Sequence, residues 1–158
     1  PAQKAATAIS IFGIAVIAGR LVVGYLVDKL WAPGVAAVAI SLPVIGSLML
    51  VGAPGFFIAC VAAAFLGFAA GAELDLMAFL AAKYFGLLHY AKIYAVLYAA
   101  LALASGVAPM IFATIFDVTG SYNIGFLFGA GFFAAGALMM LTLGKYPAPA
   151  YDAGTSDL

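Results

Sequence analysis

Charged residues that lie inside apolar stretches are the first candidates for chemistry in this chain. Arg20 is the one charged residue between Ala5 and Val27, and a charge at the centre of a bilayer costs roughly 2.5–3.5 kcal/mol even on lenient insertion scales. Residues four apart share a helix face, so Arg20, Gly24 and Asp28 form one stripe. We expect Arg20 to face a polar cavity or a partner carboxylate; the alternative is that its side chain snorkels to the membrane interface.

Two carboxylates occur at a similar depth in the stretch "GAELDLMAFLAAKYFG". Glu73 and Asp75 precede Lys83 by ten and eight residues, which places them about 12–15 Å inside that boundary at 1.5 Å rise per residue. Residues two apart point to nearly opposite sides of a helix, so one is expected to face a cavity and the other a neighbouring helix. A carboxyl group without a partner in apolar surroundings holds its proton more tightly. Glu73 or Asp75 is therefore a candidate proton-coupling group, unless it forms a structural ion pair with Arg20 or with a residue outside this chain.

A stripe of hydroxyl-bearing side chains follows further along the chain. Tyr90, Tyr94 and Tyr98 are spaced by four residues, and Ser105 lies on the same helix face. Tyr90 and Tyr94 fit an interfacial aromatic belt. Tyr98 and Ser105 lie deeper and are candidates to donate hydrogen bonds to a substrate, with core packing as the alternative for each.

The composition predicts that lipid surrounds the elements that carry these residues. The chain is 68% hydrophobic and 8% charged, whereas soluble domains are about 25% charged. Its apolar runs are continuous rather than alternating and are too long for barrel strands, so they indicate helices. We expect an all-α membrane protein, with a transmembrane bundle over residues 1–145 and a disordered tail over 146–158. The five expected transmembrane helices span approximately 5–27, 35–51, 56–82, 93–116 and 124–143.

The lysines predict how these helices are oriented. With five spans, Lys29, Lys83, Lys92 and Lys145 fall on one side of the membrane, and only Lys4 falls on the other. Positive charge marks the cytoplasmic side. We therefore expect a cytoplasmic C-terminus.

Glycine spacing predicts where helices approach closely, because small residues let helix backbones meet in lipid. The patterns Gly67-x-x-x-Gly71 and Gly125-x-x-x-Gly129 fit such contacts. Gly24, on the Arg20 stripe, is expected to let another helix approach in the same way.

Catalytic and metal-binding patterns are absent from the sequence. It has one histidine, one cysteine, no CxxC, no HExxH and no phosphate-binding loop, so we expect no enzyme activity, no metal and no cofactor. Nucleic acid is not an expected partner, because the net charge is zero and phosphate binding needs a basic patch.

Three stretches resemble one family of carriers. "GRLVVGYLVDKL" resembles the G-x-x-x-D-[RK] loop signature of the major facilitator superfamily, as found between helices eight and nine. Gly24, Asp28 and Lys29 match it, although the basic cluster that usually follows is absent. "AAKYFGLLHYAKIYAVLYA" and "GVAPMIFATIFDVTGSY" resemble the region around helix eleven in the branch of monocarboxylate and oxalate/formate carriers.

The resemblance implies a partial major facilitator superfamily fold, in which the five helices are the eighth to twelfth of twelve. The chain would be a fragment that lacks its N-terminal half, from a secondary transporter of the bacterial inner membrane. Its substrate would be a small organic anion such as a mono- or dicarboxylate, moved by proton symport or exchange, and Arg20 would bind it. The alternative is a non-catalytic membrane subunit of a larger complex, in which the internal charges pair helices.

Overall fold

The computed structural model describes residues 2–52 and 54–146, and these are almost entirely helical, with no strand among them. Every helix is long and apolar enough to cross a membrane by length and composition. The expected all-α class with helices of membrane-spanning length is confirmed. The helices are α1 (Ala2–Lys29), α2 (Ala32–Met49), α3 (Phe56–Thr119) and α4 (Asn123–Leu141).

Helix α3 extends over two of the predicted spans. It has 64 residues and would be about 96 Å long if straight, roughly three times the thickness of the hydrocarbon core. It is interrupted at Gly86, whose backbone has φ 71° and ψ 170°; glycine adopts a positive φ without the steric penalty of a Cβ. Gly86 divides α3 into a first limb (56–85) and a second limb (87–119). The predicted count of five helices is not confirmed.

Hydrogen bonds gather three parts of the chain at one end of the bundle. Trp31 Nε1 donates to the Gly144 carbonyl at 3.2 Å, and Tyr84 OH donates to the same carbonyl at 2.9 Å. The backbone N–H of Ala32 donates to Tyr146 OH at 2.9 Å. We call these five residues the clasp. Because it joins the start of α2, the last turn of the first limb of α3 and the segment after α4, all three lie at one end.

Neighbouring residues identify this end as the side on which lysines gather. Lys29, Lys83 and Lys145 lie within three residues of a clasp residue, and we call this the lysine end. At the opposite end, the backbone N–H of Gly52 donates to Asn123 Oδ1 at 3.0 Å. Between Tyr84 in the clasp and Asn123 at the start of α4, the chain therefore passes from the lysine end to the opposite end.

The core lies where α1, α2 and the first limb of α3 meet, and α4 packs mainly on α2. No residue in 87–119 is buried. The second limb contacts α4 near the turn that joins them, where the rings of Phe116 and Tyr122 stack with centroids 4.6 Å apart. The buried cluster consists of Val23, Val27, Ala32, Val35, Ala36, Ala39, Ala72 and Leu76.

Glycines determine how closely α1 approaches the first limb of α3. A Cβ on Gly71 would overlap the carbonyl oxygen of Val16, and a Cβ on Gly67 would overlap that of Phe12. The predicted close packing at these two glycines is confirmed.

The other glycine predictions have mixed outcomes. A Cβ on Gly125 would lie 2.9 Å from the Phe112 ring, so this position is also tight. A Cβ on Gly129 would meet Ser47 Oγ only at 4.0 Å, which is ordinary contact. No described residue approaches Gly24, since a Cβ there would meet nothing within 4 Å in this part of the chain, and the prediction for Gly24 stays untested. α1 presents the neighbouring Val23 rather than Gly24 to the core.

The predicted tail begins at a residue with defined contacts. Tyr146 accepts the hydrogen bond from Ala32, and its ring lies 5.5 Å from that of Tyr84 in an edge-on arrangement. The rest of the predicted tail, 147–158, lies outside the described residues.

Candidate functional site

The central feature of the site is an ion pair between α1 and the first limb of α3. Val16 packs on Gly71, and one helical turn further along each helix Arg20 meets Asp75. The Arg20 Nε and Asp75 Oδ2 atoms are 3.1 Å apart. The two helices run parallel here, so the pair continues the line of close contacts that the glycines begin.

The ion pair is open on one side. The Arg20 side chain is 53% exposed and that of Asp75 is 40% exposed. Asp75 provides the one acidic partner of Arg20 among residues 2–52 and 54–146. A guanidinium carries five N–H donors in a planar fork, so Arg20 retains donors for a second acceptor on its exposed side. Of the two expected surroundings of Arg20, a polar cavity or a partner carboxylate, the structure shows the carboxylate, and the role of Arg20 in substrate binding stays a prediction.

Glu73 does not take part in this pair. Its side chain is exposed on a different side of α3, and it forms no ion pair with any described residue. The sequence left open which carboxylate faces Arg20, and the structure assigns that position to Asp75. The role of either carboxylate in proton coupling stays a prediction.

The tyrosine stripe is present as a stack on the second limb of α3. Ring centroids are 5.5 Å apart between Tyr90 and Tyr94 and 6.2 Å apart between Tyr94 and Tyr98. Tyr98 is half-exposed and Ser105 is exposed. No hydrogen bond joins Tyr98 or Ser105 to the ion pair in the part of the chain described. Their predicted role in substrate binding is untested, and neither is packed in the core.

The residues of the loop motif lie at the lysine end of α1. Lys29 Nζ donates a hydrogen bond to Tyr25 OH and lies 4.3 Å from the centroid of that ring. Asp28 is exposed and Gly24 is half-buried. The motif therefore occupies the last turns of α1, close to Trp31.

Sequence reasoning missed the clasp. Trp31 and Tyr84 lie at helix ends and donate to the Gly144 carbonyl. Tyr146, in the segment after α4, accepts through its OH from the backbone N–H of Ala32 at the start of α2. Helix ends leave such backbone groups unpaired. The sequence does place Trp31, Tyr84 and Tyr146 just outside the predicted spans. Their spacing along the chain does not show that these three residues lie close together in the fold.

Two apolar grooves on the structure are separate from the ion pair. One is an open groove of about 460 Å³ between α1 and α2, lined by residues that include Val23, Trp31, Val38 and Phe68. No group of three or more potential metal ligands occurs in the described ranges. The Arg20–Asp75 pair is thus a surface site on the bundle rather than an enclosed pocket.

Comparisons with protein-family models, with curated proteins and with solved structures give no match. The relationship to the major facilitator superfamily therefore stays a prediction. The length and apolar character of the helices are compatible with an integral membrane protein, and this compatibility does not depend on any relative.

Proposed function

We propose that this chain is part of a secondary transporter that moves a small carboxylate across a membrane by alternating access. The Arg20–Asp75 pair is the observation that carries the proposal. Arg20 precedes the end of α1 by nine residues, which corresponds to a depth of about 13 Å. Ionisable residues at such depth commonly face a water-filled path or a bound ligand. An open guanidinium there suits an anionic substrate.

The proposal includes five membrane crossings, with α3 contributing two of them. The clasp holds Tyr84 at the lysine end, and Gly52 holds Asn123 at the opposite end. The second limb of α3 has to cover the distance between them, so Gly86 would be the point where the chain re-enters the membrane. In this proposal the lysine end is cytoplasmic, because lysines are retained on that side.

The same crossings fit the C-terminal half of a major facilitator superfamily carrier in the bacterial inner membrane. The helices would then be the eighth to twelfth of twelve, and an N-terminal half would complete the substrate path. Such carriers bind substrate near the midplane, between two halves that rock against each other.

The candidate substrate-binding and proton-coupling residues each have a role in this mechanism. The substrate carboxylate binds the exposed side of the Arg20 guanidinium, which is suited to planar anions. Asp75 or Glu73 takes up the coupled proton. Tyr98 and Ser105 supply hydrogen bonds when the second limb of α3 packs beside the first.

Uptake by the full-length protein in liposomes tests the proposal. A panel of radiolabelled mono- and dicarboxylates is offered to the parent, to Arg20→Ala and to the control Lys4→Ala. We expect Arg20→Ala to abolish uptake while membrane insertion is unchanged, and Lys4→Ala to retain it. Undiminished uptake by Arg20→Ala removes that residue from the site.

The coupling group is identified by repeating the uptake at two external pH values. Asp75→Asn and Glu73→Gln each remove one titrating carboxyl group while keeping its shape. We expect one of them to eliminate the pH dependence and the other to keep it. If both variants kept the pH dependence of the parent, neither Asp75 nor Glu73 would be the coupling group.

A second candidate is a non-catalytic membrane subunit in which the charges serve helix pairing. The ion pair itself favours it, because Arg20 and Asp75 already join two helices. Purification in mild detergent discriminates between the two. A stoichiometric partner, together with no transport by the full-length chain in liposomes, supports the subunit.

A further inference from the structure

The break in α3 forms an apolar tip at the lysine end of the bundle. Phe85 is 57% exposed, Leu87 is 84% exposed and Leu88 is 90% exposed, and these residues surround Gly86. We call residues 85–88 the Gly86 tip. It directly follows Tyr84, a clasp residue, so the tip projects where the helices end rather than along their sides.

Large apolar side chains in this position are unfavourable if they face water. The free-energy cost of exposing leucine and phenylalanine to water rises with their exposed apolar area. A bundle end that extended into water would therefore normally carry polar residues. The headgroup region of a bilayer resolves the conflict, because apolar side chains there reach the acyl boundary while the backbone stays near polar groups.

The charges around the tip are of one sign. Lys83 and Lys92 flank it, and the sequence has no acidic residue between Asp75 and Asp117. Lys92 follows Gly86 by six residues and therefore lies about 9 Å along the second limb. Basic residues beside an apolar surface are attracted to the anionic lipids of a leaflet.

The other lysines at this end add to the same field. Lys29 and Lys145 lie near the clasp, and Asp28 is the one acidic residue at this end within the described ranges. The opposite end has Lys4 and Asp117, whose charges balance. Among the described residues, the excess of basic charge thus lies at the end that carries the tip.

We propose that the Gly86 tip docks into the anionic headgroup layer of the leaflet at the lysine end. Phe85, Leu87 and Leu88 reach the acyl boundary, and Lys83 and Lys92 contact lipid phosphates. The docking would fix the position of the turn between the two limbs of α3. The docking depends on membrane insertion of the bundle and not on transport. The docking proposal and the transport proposal can therefore fail independently of each other.

Fluorescence from a single label at the tip tests the docking. The full chain is reconstituted as Leu88→Cys in a Cys60→Ala background, labelled with an environment-sensitive fluorophore. Vesicles contain phosphatidylcholine with or without phosphatidylglycerol. Lipids with a spin label near the glycerol carbonyls report contact with the membrane, and iodide reports contact with water. Leu87→Cys provides a second labelling site if the first variant fails to fold.

We expect quenching by the shallow lipid spin label to exceed iodide quenching at least several-fold, and to increase when phosphatidylglycerol is present. Lys83→Gln combined with Lys92→Gln should remove most of that increase. The matched control is Val118→Cys, which is 80% exposed at the opposite end beside Asp117. Its signal should not respond to phosphatidylglycerol.

Three results would overturn the proposal. Strong iodide quenching at position 88 would place the tip in water. Protection from both quenchers would mean that protein covers it. Immersion that does not respond to phosphatidylglycerol would remove the anionic lipid as the partner.

Discussion

The two limbs of α3 are both apolar, yet only the first of them is packed into the core. The first limb contributes seven buried residues to the interior, whereas the second contributes none. The first limb presents Gly67 and Gly71 to α1, and a Cβ on either would overlap a backbone carbonyl. A Cβ on Gly106, in the second limb, would meet nothing within 4 Å. Apolar character places a helix in lipid, but the position of its small residues determines whether it packs on another helix.

Adding one methyl group to each limb tests this difference with the largest expected effect. We expect Gly71→Ala to lower the free energy of unfolding by about 2–3 kcal/mol, because the Cβ meets a backbone carbonyl that has no room to move. Gly106→Ala should leave it unchanged or raise it by up to about 1 kcal/mol, since alanine favours helix over glycine. Reversible unfolding in mixed micelles measures both. If both variants lost the same free energy of unfolding, the close contact between α1 and the first limb would not depend on the glycine at position 71.

The sequence predicted the helical class and the glycine contacts because both depend on local properties. Continuous apolar runs indicate helices, and Gly67 and Gly71 share one helix face. The number of helices depends on a single residue. The sequence predicted a boundary between residues 82 and 93, but it did not single out Gly86, whose non-helical φ and ψ mark the break in α3.

The site was predictable up to the choice between two carboxylates. Sequence spacing showed that Glu73 and Asp75 lie on different faces, and that Arg20 lies at a similar depth. It could not show how far α3 is shifted along α1. That shift is set by the seating of Gly71 on Val16, and it brings Asp75 rather than Glu73 to Arg20.

Double-mutant cycles compare the coupling of Arg20 to Asp75 with its coupling to Glu73. We expect Arg20→Gln and Asp75→Asn to show a coupling of about 1–2 kcal/mol in the free energy of unfolding, within the range found for residues in contact. The cycle of Arg20→Gln with Glu73→Gln is the control and should give less than about 0.5 kcal/mol, because Glu73 makes no ion pair with Arg20. A larger coupling to Glu73 than to Asp75 would contradict the assigned pairing.

Removing one hydroxyl group from each limb of α3 gives the smallest expected effect. Tyr84 OH donates to the Leu143 carbonyl at 2.7 Å and to the Gly144 carbonyl at 2.9 Å, whereas Tyr98 OH has no hydrogen-bond partner among the described residues. We expect Tyr84→Phe to lower the free energy of unfolding by about 0.5–1.5 kcal/mol, the usual net value of one hydrogen bond. Tyr98→Phe should change it by less than about 0.5 kcal/mol, as for exposed sites without partners. The same unfolding assay compares them. If Tyr98→Phe lowered the free energy of unfolding more than Tyr84→Phe, the Tyr98 hydroxyl would have a hydrogen-bond partner outside the described residues. The two limbs would then differ less than their packing indicates.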